Sequence, residues 1–136
     1  MAKRRHARGL IDTSVLTDLD HIDPSDLPDE IAVSVVTMAE LAAGPHATKD
    51  MAERARRQDR LQRAEATFDP LPVDTSVARA YGRIYSAVLS AGAKARGRPA
   101  FDPLIAATAL ALGLPLYTRN PKDFGDLDRL VVVVRV

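Results

Sequence analysis

Asp12, Glu40, Asp102 and Asp123 are far apart in the chain, yet each stands just past a predicted strand or in the first turn of the helix that follows. In an open parallel sheet such positions collect along the edge where the carboxyl ends of the strands emerge, so acids scattered in sequence can meet at one hard cation. All-oxygen ligation suits Mg²⁺ or Mn²⁺ better than zinc. An ion held there polarises a phosphoryl oxygen and lowers the pKa of a bound water so that it attacks; a second ion would stabilise the leaving oxygen. The chemistry to expect is hydrolysis of a phosphodiester. The neighbouring hydroxyls of Thr13, Ser14 and Thr118 and the amide of Asn120 are placed to orient a water or a ligand carboxylate. Arg119, Lys122 and the cluster of Arg96 and Arg98 are candidates for holding flanking phosphates.

The elements that would carry these groups alternate. Gly9-Leu10-Ile11 reads as a short buried strand, and Asp12-Thr13-Ser14 as the turn into a helix at about Val15. Residues 20–30, with Pro24 and Pro28 among acids, read as a loop, and Ile31 to Val36 as a second strand. Thr37-Met38-Ala39-Glu40 matches a capping box, which predicts a helix from there to Gly44-Pro45. An Arg-rich helix is expected over 49–67 and, because of Pro70 and Pro72, at most an edge strand over 68–73. Asp74-Thr75-Ser76 caps a helix in which Val77, Tyr81, Ile84, Tyr85, Val88 and Leu89 recur at helical spacing, and residues 92–99 form a basic loop. Asp102-Pro103 opens an apolar helix through Leu112 that Gly113 stops. A strand over 114–118, a loop over 119–125 and a strand over 131–136 complete the chain. Strands separated by helices predict an α/β fold, a three-layer α/β/α sandwich around a short, mostly parallel sheet.

Every acid also has a structural reading. Asp12 fits an Asx-turn, Glu40 the third position of a capping box, Asp102 a helix cap and Asp123 the cap of a short final turn. Capping alone does not explain why acids recur at corresponding strand–helix junctions. Asp102 joins the others only if its helix runs antiparallel to the strand that follows, which the order of elements does not by itself establish.

Composition narrows the field. A chain of 136 residues without Cys is one domain that needs no disulfides, and it has no thiolate site for zinc; His6, His21 and His46 show no ligand spacing. The longest apolar stretch, Ala109 to Leu116, is far short of the roughly 20 residues that cross a bilayer, and residues 1–8 do not lead into a signal-peptide core. A cytoplasmic protein without membrane contact is expected, with residues 1–8 as a basic tail and 9–136 as a single domain. Net charge is +1, but residues 12–30 hold seven acids and no Lys or Arg, while residues 49–63 hold six bases against three acids. Such basic clusters can contact phosphates, or simply be solvated helix faces.

Four segments in order also resemble a known family: Leu10-Ile11-Asp12-Thr13-Ser14, Ser34-Val35-Val36-Thr37-Met38-Ala39-Glu40-Leu41, Phe101-Asp102-Pro103-Leu104-Ile105-Ala106-Ala107-Thr108-Ala109 and Thr118-Arg119-Asn120-Pro121-Lys122-Asp123-Phe124. Together they resemble the PIN-domain ribonucleases, specifically the VapC-type toxins of bacterial toxin–antitoxin pairs, over residues 9–136. The resemblance implies a PIN-like fold with Asp12, Glu40 and Asp102 as the principal acids, and Asp12 and Asp102 as ligands of the ion. Either Asn120 or Asp123 fills the fourth position, with Asp123 the acid carried forward as catalytic. It further implies Mg²⁺- or Mn²⁺-dependent endonucleolytic cleavage of RNA, often tRNA or rRNA, a homodimer, and inhibition by a cognate VapB-type antitoxin that docks on helices after the second strand. The competing expectation is an RNA-binding α/β module whose acids only cap helices. A response-regulator-like domain fits less well, since the phospho-acceptor Asp after a middle strand that it needs is not evident.

Overall fold

The apolar runs at residues 9–11, 31–33, 116–118 and 133–134 are too short for amphipathic helices, and all of them pair as strands. A computed structural model describes residues 5–91 and 101–136. In it, β1 (Arg8–Ile11), β2 (Glu30–Val33), β3 (Leu116–Thr118) and β4 (Val133–Arg135) form one sheet in the order β2-β1-β3-β4. Every pairing is parallel, with Leu10 opposite both Ala32 and Leu116, and Leu116 opposite Val133. The sheet is therefore parallel throughout, with helices on both faces, as the alternation of elements predicts.

Side chains alternate across a strand, and this assigns the faces. Leu10, Ala32, Leu116 and Val133 point to the side covered by α4 (Thr75–Ser90) and α5 (Phe101–Leu112). Ile11, Val33, Tyr117 and Val134 point to the side covered by α1 (Thr13–Thr17) and α3 (Met51–Thr67). The helix α2 (Val35–Ala43) sits between them, giving Val36 to one core and Leu41 to the other. Two glycines are set by sterics. A Cβ on Gly9 would stand 2.5 Å from Cε1 of Tyr117, so only hydrogen fits against that ring. Gly113, with φ of 64°, ends α5 in a left-handed turn that turns the chain into β3 within residues 113–115.

Several boundaries differ from the sequence expectation. The second helix starts at Val35, not at Thr37: Ser34 is its cap and accepts from the Val36 amide at 3.0 Å. The strand stops early because Leu71 takes over its backbone, donating to the Val33 carbonyl at 2.8 Å and accepting from Val35 at 2.9 Å. That single parallel bridge, Ser34 to Leu71, is all that forms of the edge strand expected over 68–73. The loop expected over 119–125 instead winds, from Pro121 on, into a 3₁₀ segment over 121–127 that buries Phe124 and Leu127 on one side. Residues 19–21 and 24–26 form 3₁₀ turns in the acidic loop. Arg8 already belongs to β1, and Arg5 donates to the Leu27 carbonyl at 3.2 Å and pairs with Asp29 at 3.1 Å, so residues 5–8 lie along the acidic loop. The basic loop at 92–99, with Arg96 and Arg98, lies outside the described residues. No helix among the described residues is long and apolar enough to cross a membrane.

Candidate active site

Because the strands are parallel, the chain positions that follow β1, β2 and β3 share one edge: Asp12, Ser34 and Arg119. Asp12 is locked in place there. Its backbone N–H donates to the Tyr117 carbonyl at 3.0 Å, extending the sheet by one residue. The residue is 5% exposed, and Oδ1 accepts from the Ser14 hydroxyl at 2.6 Å and the Val15 amide at 3.0 Å. The capping reading of Asp12 is thus correct, and it uses only one oxygen. Oδ2 accepts no hydrogen bond from the described residues and retains its lone pairs for another partner.

Ser14 joins two strand ends, since its Oγ also accepts from the Arg119 amide at 3.1 Å. Thr13, on the other side of Asp12, donates to Oε1 of Glu40 at 2.6 Å, and its Oγ1 lies 3.1 Å from that of Thr37. Glu40 is not the third residue of a capping box, because the helix starts earlier; it sits in the second turn of α2, half-buried, and reaches back across to α1. Thr37, one turn before Glu40 on the same face, is fully buried and was missed as a site residue. Its spacing of three from Glu40 was the available signal. Thr118 is also fully buried, and its hydroxyl accepts from the Asn120 amide at 3.0 Å.

Topology settles where the helix carrying Asp102 begins. With only residues 113–115 between α5 and β3, the helix must run antiparallel to the strand, which brings its first turn back to the carboxyl edge. Asp102 stands in that turn, half-buried, after Phe101 has already entered the helix. Asn120 occupies the cap position of the 3₁₀ segment without a side-chain cap, and Asp123 lies exposed in its first turn. Arg119 is exposed and pairs loosely with Asp18 at 3.5 Å, and Lys122 is exposed.

The chain therefore brings Asp12, Thr13, Ser14, Thr37, Glu40 and the Thr118–Asn120 turn into one hydrogen-bonded region. Among the described residues no three carboxylate or imidazole side chains stand close enough to make a ready-made metal cage. A cage is not what Mg²⁺ requires: it commonly takes one or two carboxylates and keeps several waters. A buried Asp with one oxygen held by the Ser14 hydroxyl and the other uncommitted fits that ligation.

A family model described as PIN domain matches residues 9–130. Ribonuclease VapC5 of Mycobacterium tuberculosis is 35% identical over 135 residues, 96% of this chain and 96% of that protein. Ribonuclease VapC8 of the same species is 39% identical over 102 residues, 74% of this chain and 89% of that one. Among solved structures, a member of the VapBC family of toxin–antitoxin systems, VapBC-5 from M. tuberculosis, matches with a TM-score of 0.82 at 36% identity, covering 96% of this chain and 99% of that chain.

Proposed function

The chain belongs to the PIN-domain family, among relatives of the VapC ribonucleases, and from that premise we propose that it is a metal-dependent endoribonuclease acting as the toxin of a toxin–antitoxin pair. The observation that carries the reading is Asp12: a buried carboxylate with one oxygen fixed by Ser14 and Val15 and the other uncommitted, at the edge where Glu40 and the first turn of α5 also lie.

In this reading Asp12 and Asp102 hold Mg²⁺ or Mn²⁺, which when bound supplies charge to the scissile phosphate and acidifies the attacking water. Glu40, fixed by Thr13, holds that water by its second oxygen and takes its proton. Ser14 keeps Asp12 from rotating away, and Thr37 keeps Thr13 aimed at Glu40. Asp123 or Asn120 orients a ligand water from the β3 side, with Thr118 fixing the turn. Arg119 and Lys122, both exposed beside the site, take flanking phosphates, and Arg96 and Arg98 are assigned the same role from sequence alone.

Likeness to a ribonuclease and to a member of the VapBC family of toxin–antitoxin systems supports RNA as substrate and a cognate VapB-type antitoxin as partner. To these the proposal adds tRNA or rRNA as the RNA, a homodimer as the working unit and a cytoplasmic location. Cleavage of total RNA by purified protein with Mg²⁺ or Mn²⁺, with chelator, and as Asp12→Asn and Asp102→Asn is the test. Loss of all cleavage in chelator and in both variants, with the fold intact by circular dichroism, is expected. Undiminished cleavage by either variant would reject the site, and RNA binding without turnover by the wild type would favour the non-catalytic module instead.

A further inference from the structure

A groove leads away from the Thr13–Glu40 pair. Its first part, about 300 Å³, lies between Thr13, Thr17 and Glu40 on one side and Arg57 and Arg60 on the other. Its second part, about 260 Å³, shares Thr17 and Arg60 with the first and continues past Leu16 and His21 to Arg63 and Phe68. The groove exists because α3 shows α1 a mixed face. Leu61 and Ala64 pack into the core while Arg57, Arg60 and Arg63, spaced by three, line the rim. The three cations are not equivalent. Arg57 is committed to Glu53 at 3.1 Å and to the Gly44 carbonyl at 2.9 Å, and the bonds from Arg56 and then Arg57 hold the Glu53 carboxyl below its ordinary value. Arg63 pairs with Asp59 at 3.1 Å and Asp20 at 3.5 Å. Arg60 is half-buried and forms no ion pair among the described residues.

Building on the ribonuclease reading, we propose that this groove between α1 and α3 holds a single-stranded segment of the RNA adjoining the cut, with Arg60 neutralising one of its phosphates. The segment must leave the acids by some route, and this groove opens directly on Glu40. Arg60 as the one groove cation uncompensated among the described residues, Leu16 and Ala64 beneath it and an aromatic at the end suit an unpaired strand: a phosphate against Arg60, an unstacked base against Phe68 or His21. Arg60 is a substrate-positioning residue, and the chemistry of the cut does not pass through it.

The experiment measures binding of a labelled, mixed-sequence single-stranded RNA to the full chain carrying Asp12→Asn, which prevents cutting, over a series of salt concentrations. Three variants are added to that background: Arg60→Ala, Arg60→Lys, and the pair Arg79→Ala with Arg83→Ala on the distant outer face of α4. Each phosphate contact on a single strand contributes about 0.7 to the slope of log affinity against log salt. Arg60→Ala should lower the slope by about that amount and weaken binding severalfold at low salt. Arg60→Lys should keep the slope, and the α4 pair should leave both quantities unchanged. An unaltered slope in Arg60→Ala, while the background protein binds RNA, overturns the groove assignment alone. Equal loss from the α4 pair overturns it as well, by making the effect one of overall charge. Wild-type protein that neither binds nor cuts RNA removes the ribonuclease reading and the groove with it.

Discussion

Over one face of the sheet, α4 and α5 bury Ile84, Ile105, Ala106 and Ala109 without residual exposure; over the other, α3 buries Ala64 alone and turns its arginines outward. The same strands floor both layers, so the difference comes from the helices. The α5 sequence is Ala, Leu and Ile on every side because it is covered by α4, the sheet and the 3₁₀ segment. The α3 sequence is Arg, Glu and Gln around a thin apolar stripe. One layer supplies rigidity and fixes the helix whose first turn carries Asp102; the other supplies a polar wall along which a charged ligand can lie. The acids sit on the edge where the two layers meet.

That contrast is open to direct attack. Ile105→Ala leaves a closed cavity in the α4–α5 layer and should cost about 2–5 kcal/mol, whereas Leu61→Ala in the α3 layer, where the side chain is half-buried, should cost about 1 kcal/mol. Chemical denaturation measures both, and equal costs would erase the distinction. Thr37→Val keeps the volume of a fully buried side chain and removes only its hydroxyl. If Thr37 serves the site rather than the core, cleavage should fall by about 10–100-fold while the melting temperature stays near that of wild type. A large melting loss with unchanged cleavage would return Thr37 to the core. The smallest effect concerns Tyr117, whose phenol is pushed up by burial, a hydrogen bond to the His6 backbone working the other way. Above about pH 10 the unfolded chain ionises this group before the folded one, so stability should decline through that range, and Tyr117→Phe should flatten the decline in melts taken against pH.

Much of this architecture was legible from residues 9–136. Strand and helix periods are set by local burial, so the alternation and the sandwich followed, as did Asp12 at the end of the first strand. What was not legible depended on contacts distant in sequence. Thr37 to Glu40 is a sound capping box by spacing, yet Ser34 took the cap because Leu71 occupied the backbone of Val33 and Val35, a pairing no local pattern encodes. The 3₁₀ segment at 121–127 follows from Phe124 and Leu127 sharing one buried side, which Asn120-Pro121 obscured as a turn signal. Asp102 needed the direction of α5, and that came only from the parallel pairing of β3. The cationic groove was invisible because it depends on which face of α3 meets α1.

Heat denaturation of the wild type, Asp12→Asn and Asp102→Asn, each titrated with Mn²⁺, tests most directly whether distant acids share one ion. A ligand that binds only the folded state raises stability by RT ln(1 + [L]/Kd), so the wild-type melting temperature should climb with Mn²⁺ while both variants stay flat. Without metal, the variants should melt no lower than the wild type, since each removes a like charge from the edge. An Asp102→Asn protein that gains as much from Mn²⁺ as the wild type would show that Asp102 belongs to no common site with Asp12.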